Sequence, residues 1–206
     1  MTWLVLWMSL SAVIWGQITL TFLGDSLTAG YGVSESAAFP YQVALRIGTE
    51  NVTVYNRGVS GDTSAGLRHR LDAYLIPTPD AVLVCIGAND GLRGVPVDRI
   101  RSNITAIITR IQARNIPVIL AGMTLPANYS APYIAAFEAI YPDVATKQEV
   151  PLLPFLLEGV AGVPELNSGD GIHPNAAGHR RIAETVHVFL RDHTTVLPTP
   201  STLVAE

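Results

Sequence analysis

Short unbroken apolar runs alternate along this chain with longer stretches in which apolar residues recur every three or four positions. The runs at 18–23, 52–55, 81–86, 117–121 and 151–153 read as strands. The run 81–86 carries no charged or hydroxyl side chain, as a central strand covered on both faces requires. The stretches 37–47, 64–74, 98–114, 133–148 and 175–192 read as helices. In 98–114, Ile100, Ile104, Ile107, Ile108 and Ile111 share one face, while Arg99, Arg110 and Arg114 fall elsewhere. Pro142 is expected to break the helix at 133–148, and 175–192 turns Ile182, Val186, Phe189 and Leu190 inward. This alternation predicts an α/β fold, a three-layer α/β/α sandwich around a parallel five-stranded sheet.

The chain has 206 residues and is 49% hydrophobic, which suits one domain with a sizeable core. That domain is expected over 17–193, with 194–206 as a flexible tail rich in proline. Residues 1–16 are apolar and hold three tryptophans. They are short for a membrane span and lack the basic start of an ordinary signal peptide. A secretory leader or anchor, or else a structured or mis-started terminus, stays open for them. The expected locations follow: periplasmic or secreted, anchored through 1–16, or cytoplasmic.

Net charge is −4, and the basic residues form no stripe. Arg68-His69-Arg70 and the arginines between Arg99 and Arg114 read as solvated helix faces, so no nucleic-acid partner is expected. The single lysine, Lys147, has no glycine before it, which closes the option of a Walker-type phosphate loop. The lone Cys85 forbids an internal disulfide and reads as a buried strand residue. Sequons at Asn51, Asn103 and Asn128 matter only in a eukaryotic secretory pathway.

In a parallel sheet of this kind, ligands bind beyond the carboxyl ends of the strands. Four loops should therefore share one rim: Gly24–Ser26, Gly58–Asp62, Gly87–Asp90 and Leu125–Tyr129. Ser26 follows the first strand, either as a nucleophile or as a helix cap in a Gly-Asp-Ser turn. A serine hydroxyl needs a base, and of the five histidines His173 is the candidate. It is followed by Pro174, which suits the first position of a helix. His69, His187 and His193 read as exposed, and His179 is a weaker rival. Asp170, three residues before His173, can orient the imidazole or simply form a turn. Charge built on a carbonyl oxygen needs donors. Gly61 offers a backbone N–H, Asn89 a side-chain amide unless it forms an Asx turn, and Ser26 its own backbone N–H.

Gly24-Asp25-Ser26-Leu27, Gly61, Gly87-Ala88-Asn89-Asp90 and Asp170-x-x-His173 resemble, in order, the blocks of the SGNH (GDSL-type) hydrolase family. Asn89–Gly94, Leu125–Tyr129, Ala139–Pro142 and Val150–Phe155 resemble the bacterial thioesterase I, lysophospholipase and arylesterase subgroup. The resemblance runs from about residue 18 to 192. It implies a flavodoxin-like strand order and an acyl-serine reaction on carboxylic esters or thioesters. Ser26, His173 and Asp170 would be the catalytic residues, and Ser26, Gly61 and Asn89 the oxyanion donors. No cofactor or metal is expected. Secreted members begin shortly before their first strand, and Gln17 would fit such a start. Glycines at both ends of Gly91–Gly94 suggest a loop that shifts over an acyl chain. Leu92, Val95, Leu125, Pro126, Tyr129 and Ile172 could line an apolar groove or merely pack the loops. Arg93 could meet a phosphate or carboxylate, or form a surface salt bridge. The expected partner is a small ester or thioester, and the expected state a monomer, with membrane contact only through 1–16. A carbohydrate acetyl-esterase and a non-catalytic flavodoxin-like module remain as alternatives.

Overall fold

The structure is a computed structural model and describes residues 17–197. The expectations for 1–16, and for the tail beyond 197, lie outside the described residues. Five strands form one parallel sheet in the order β2-β1-β3-β4-β5. They are β1 (Ile18–Gly24), β2 (Val52–Gly58), β3 (Ala81–Cys85), β4 (Val118–Ala121) and β5 (Leu152–Leu153). This is the flavodoxin-like order, with β1 at the switch point. Gly24 pairs level with Gly58 on one side and Cys85 on the other, so β1, β2 and β3 release the chain onto the same rim.

The described residues hold eight α-helices: α1 (Ser26–Ala29), α2 (Phe39–Ile47), α3 (Ser64–Arg70), α4 (Ala88–Leu92), α5 (Val97–Gln112), α6 (Ala131–Glu138), α7 (Ile140–Gln148) and α8 (Ala176–His193). α2 packs on α8, and α5 packs on both α3 and α7. The five isoleucines that the pattern places on one face of α5 are all fully buried. Each contributes roughly 1.5–3 kcal/mol relative to an exposed side chain.

Several boundaries differ from the sequence reading. β2 continues past Tyr55 through Asn56 and Arg57, because on an edge strand the ladder to β1 matters more than an apolar run. The helix expected at 64–74 is α-helical to Arg70 and then tightens into a 3₁₀ turn over Leu71–Leu75. Pro142 breaks nothing. It lies in the first turn of α7, where its missing N–H has no intrahelical acceptor to lose, and the break falls at Ala139. Residues 88–92, read as a loop, form the short helix α4. Pro174 does not open α8. Asn175 caps it, its Oδ1 accepting from the N–H groups of Ala177 and Gly178 at 2.9 and 3.1 Å.

His179, near the start of α8, is fully buried. Its Nδ1 accepts from the Phe39 N–H at 3.2 Å, and its ring stacks on Phe39, locking α8 to α2. Burial pushes this imidazole down to about 4, so the fold holds it neutral. The unfolded chain takes up the proton near 6.5. The stability this group supplies is therefore complete above that value and is lost as pH falls from about 6.5 towards 4. Between pH 7 and 5 the loss should be about 2 kcal/mol. Guanidinium unfolding of the wild type and of His179→Gln at both pH values checks it. The wild type should lose more stability on acidification than the variant.

Candidate active site

The site is built where β1 ends. A Cβ at Gly24 would lie 2.1 Å from Thr28 Oγ1 and 2.5 Å from the Cys85 carbonyl oxygen, so only glycine lets the chain turn there. Asp25 caps α1, its Oδ1 accepting from the Leu27 N–H at 3.1 Å. Ser26 opens that helix, and its Oγ lies 2.9 Å from His173 Nε2. His173 Nδ1 lies 2.7 Å from Asp170 Oδ2. Asp170 Oδ1 also accepts from the backbone N–H groups of Ile172 and His173, at 2.9 and 3.0 Å. These bonds, the His173 backbone N–H foremost, hold its carboxyl down at about 2. Ionised near neutral pH, the carboxylate only accepts. That assigns the ring proton of neutral His173 to Nδ1 and leaves Nε2 as an acceptor for the Ser26 hydroxyl.

The Asp170/His173 loop reaches this rim because its base is pinned. Asn167 is buried, and its Nδ2 donates to the Val160 and Val163 carbonyls, each at 2.7 Å. Ser168 N–H donates to the His173 carbonyl at 2.8 Å. Asn175 Nδ2 donates to the Glu165 and Asn167 carbonyls at 2.9 and 3.2 Å. Across the imidazole, the Tyr31 ring packs with its centroid 4.6 Å away. No sequence signal marks Tyr31.

The three expected oxyanion donors come from the loops after β1, β2 and β3. Gly61 has φ +78°, a left-handed conformation that other residues adopt only with strain. Among the described residues, neither the Gly61 nor the Ser26 backbone N–H has a protein acceptor. Asn89 Nδ2 reaches Asp25 Oδ2 at 3.4 Å. Burial of Asp25, above all, raises its carboxyl to about 6. Arg93 takes part in no carboxylate pair among the described residues. It donates to the Gly61 carbonyl at 3.1 Å and so ties the loop after α4 to the loop after β2.

Buried charge braces the rim from below. Arg70, expected on a solvated face, points inward instead. It donates to Asp62 at 2.6 Å and to the Arg57 and Gly24 carbonyls at 2.9 Å each. One guanidinium, with donors in a fixed fork, thus holds the ends of β1 and β2 and the loop between β2 and α3. Asp90 is buried and accepts from both the N–H and Oγ of Ser64 at 2.7 Å. Sequence reasoning misses Asp62, Asp90 and Arg70 as braces. The two aspartates lie inside recognised blocks, but nothing in their spacing tells a brace from a solvated charge.

Of the other histidines, His69 and His193 are exposed as expected. His187 is half-buried, and burial lowers its pKa, so the expectation of exposure fails for it. The packing of α8 on α2 accounts for the difference, since it covers part of a helix that reads as open to water in isolation. Cys85 is buried in β3.

Of the groove candidates, Leu92, Val95 and Tyr129 are partly buried and pack on the core, and Leu125 is buried. Tyr129 Oη donates to the Leu92 carbonyl at 2.7 Å, and Tyr133 Oη to the Val95 carbonyl at 2.8 Å. Pro126 is exposed beside them, whereas Ile172 is exposed on the Asp170/His173 loop. Two hollows, of about 540 and 690 Å³, lie away from this rim, near the start of β4 and over the outer side of α5. Among the described residues, no group of three or more His, Cys, Asp or Glu side chains is spaced to hold a metal ion.

Residues 22–181 match the model of the GDSL-like lipase/acylhydrolase family. The chain belongs to that family. Among curated members, it is 42% identical over 167 residues to "Thioesterase 1/protease 1/lysophospholipase L1" of Escherichia coli (strain K12), covering 81% of this chain and 80% of that one. It is 40% identical over 193 residues to "Arylesterase" of Vibrio mimicus, covering 92% and 96%. A crystal structure of TesA superposes with a TM-score of 0.80 at 38% identity, covering 84% of this chain and 98% of that one. The five-stranded α/β/α architecture is thus the architecture of GDSL-family structures.

Ser64→Ala removes the hydroxyl that donates to buried Asp90 and accepts from Asn103 Nδ2 at 3.0 Å. In urea unfolding this variant should be less stable by about 1–3 kcal/mol, with an unchanged m-value.

Proposed function

We propose that this GDSL-family protein hydrolyses carboxylic esters and thioesters through an acyl-serine intermediate. The observation that carries the reading is the 2.9 Å approach of Ser26 Oγ to His173 Nε2, with Asp170 Oδ2 2.7 Å from the other ring nitrogen. The names of its relatives, an arylesterase and a thioesterase/lysophospholipase, support the same bond classes.

In this reading Ser26 Oγ attacks the carbonyl carbon, and its proton passes to His173 Nε2. Asp170 keeps the imidazole turned towards Ser26 and stabilises the imidazolium that forms. The carbonyl oxygen gathers negative charge among the N–H groups of Ser26 and Gly61 and the Asn89 amide. Collapse breaks the bond to the leaving oxygen or sulfur, which departs with the His173 proton. Water then gives its proton to His173 and attacks the acyl-serine; as the bond to Ser26 Oγ breaks and the acid leaves, His173 returns that proton to the Ser26 hydroxyl. Leu92, Val95, Leu125, Pro126, Tyr129 and Ile172 would contact the acyl chain.

The proposed site is complete within one chain, which fits a monomer. We also propose export, with Gln17 near the mature start, supported by the charge-free sequence before Asp25. No helix of the described residues is long and apolar enough to cross a membrane. Mass spectrometry of the mature N-terminus tests export, and an intact Met1 in cell extracts would refute it.

Incubation with p-nitrophenyl butyrate and with a fluorophosphonate tests the chemistry. Wild type should turn over and label at Ser26, and Ser26→Ala should do neither. Asn89→Ala should lower kcat by roughly 10²–10³, or about 3–4 kcal/mol of transition-state stabilisation. A loss below about threefold would remove Asn89 from the oxyanion site.

A further inference from the structure

One buried carboxylate at the rim has no part in this reaction scheme. Asp25 is 1% exposed, lies immediately before Ser26, and uses both oxygens as acceptors. Oδ1 takes the Leu27 N–H at 3.1 Å, and Oδ2 faces Asn89 Nδ2 at 3.4 Å. We propose that Asp25 is a positioning residue that fixes which end of the Asn89 amide faces the reacting carbonyl. The inference rests on the serine-hydrolase reading above.

An asparagine side chain has two ends of opposite polarity, an NH₂ that donates and an oxygen that accepts. Only the NH₂ end can stabilise an oxyanion, and rotation by half a turn would present the oxygen instead. Asp25 Oδ2 forbids that rotation, because it would set two oxygens against each other in a buried site. With one Nδ2 hydrogen directed at Asp25, the second remains for the substrate oxygen. The 3.4 Å separation is long for such a bond. Contacts of this kind commonly tighten only when the transition state is bound.

The same geometry makes Asp25→Asn decisive. A carboxylate accepts on both sides, whereas an amide accepts on one and donates on the other. Either orientation of the introduced amide therefore sets an N–H against a donor, at Leu27 or at Asn89. When its oxygen keeps the Leu27 cap, the helix start survives and Asn89 loses its acceptor.

The test is a double-mutant cycle on p-nitrophenyl butyrate with wild type, Asp25→Asn, Asn89→Ala and the double variant. In the wild-type background, Asp25→Asn should lower kcat roughly 10²-fold with KM changed less than about threefold. In the Asn89→Ala background it should lower kcat less than about threefold, since no amide remains to be positioned. Equal losses in both backgrounds would overturn the proposal, because they would mean that Asp25 acts only through the helix cap or general stability. A loss below about threefold in the wild-type background would overturn it as well. If Asp25→Asn does not fold, Asp25→Ser keeps a capping oxygen, withdraws the acceptor from Asn89, and must give the same cycle. A wild type that neither turns over nor labels at Ser26 would fail the serine-hydrolase reading itself, an outcome distinct from an active enzyme whose cycle is additive.

Discussion

The contact between Ser26 Oγ and His173 Nε2 joins residues 147 positions apart, and the rest of the rim is organised around it. A hydroxyl and an imidazole interact usefully over only a few tenths of an ångström in separation. Two loops from opposite ends of the chain must therefore be placed with that tolerance. On the serine side the constraint is met by the sheet, since β1 lies between β2 and β3 and ends level with both. On the histidine side no strand is available. The loop is instead fastened by Asn167 and Asn175, whose amides take backbone carbonyls that the turn leaves open, and by the fixed start of α8.

Polar groups below the rim perform a second task. Arg70, Asp62, Asp90 and Ser64 are largely removed from water, which costs free energy unless every donor and acceptor is matched. They are matched to one another and to the carbonyls at the strand ends. The loops carrying Gly61 and Asn89 thus rest on bonds that lose strength quickly with displacement. That stiffness is what the proposed oxyanion donors would need, because donors that relax on charge formation stabilise it less.

Much of this is legible in the sequence. The unbroken run at 81–86 announces a strand covered on both faces, and the isoleucine spacing of α5 its buried stripe. The Ser26, Asn89 and Asp170/His173 blocks can be placed on loops, the first two after particular strands, and strand parallelism brings those two loops to one end. What fails does so for local physical reasons. Pro142 reads as a breaker because its ring normally clashes with the preceding turn, but in the first turn of α7 there is no such turn. Arg70 reads as solvated because its neighbours Arg68 and His69 are, yet it lies on the other side of α3. Tyr31 carries no pattern at all, and nothing in the spacing of Asp62, Asp90 and Arg70 marks them as braces, since their roles exist only once distant segments meet.

The wall proposed for the acyl group stands on different ground from the residues proposed to react. Leu92 and Val95 are tied through their carbonyls to Tyr129 and Tyr133, at the entry to and on α6, whereas Ser26 and His173 depend on β1 and the start of α8. Hydrogen bonds to a main-chain oxygen do not depend on which side chain that residue carries. If these residues line the acyl site as proposed, exchanging side chains at 92 and 95 would reshape chain-length preference while leaving the tyrosine anchors and the Ser26–His173 contact intact. A division of this sort would let one scaffold diversify its diet by small sequence changes while its chemistry stays the same.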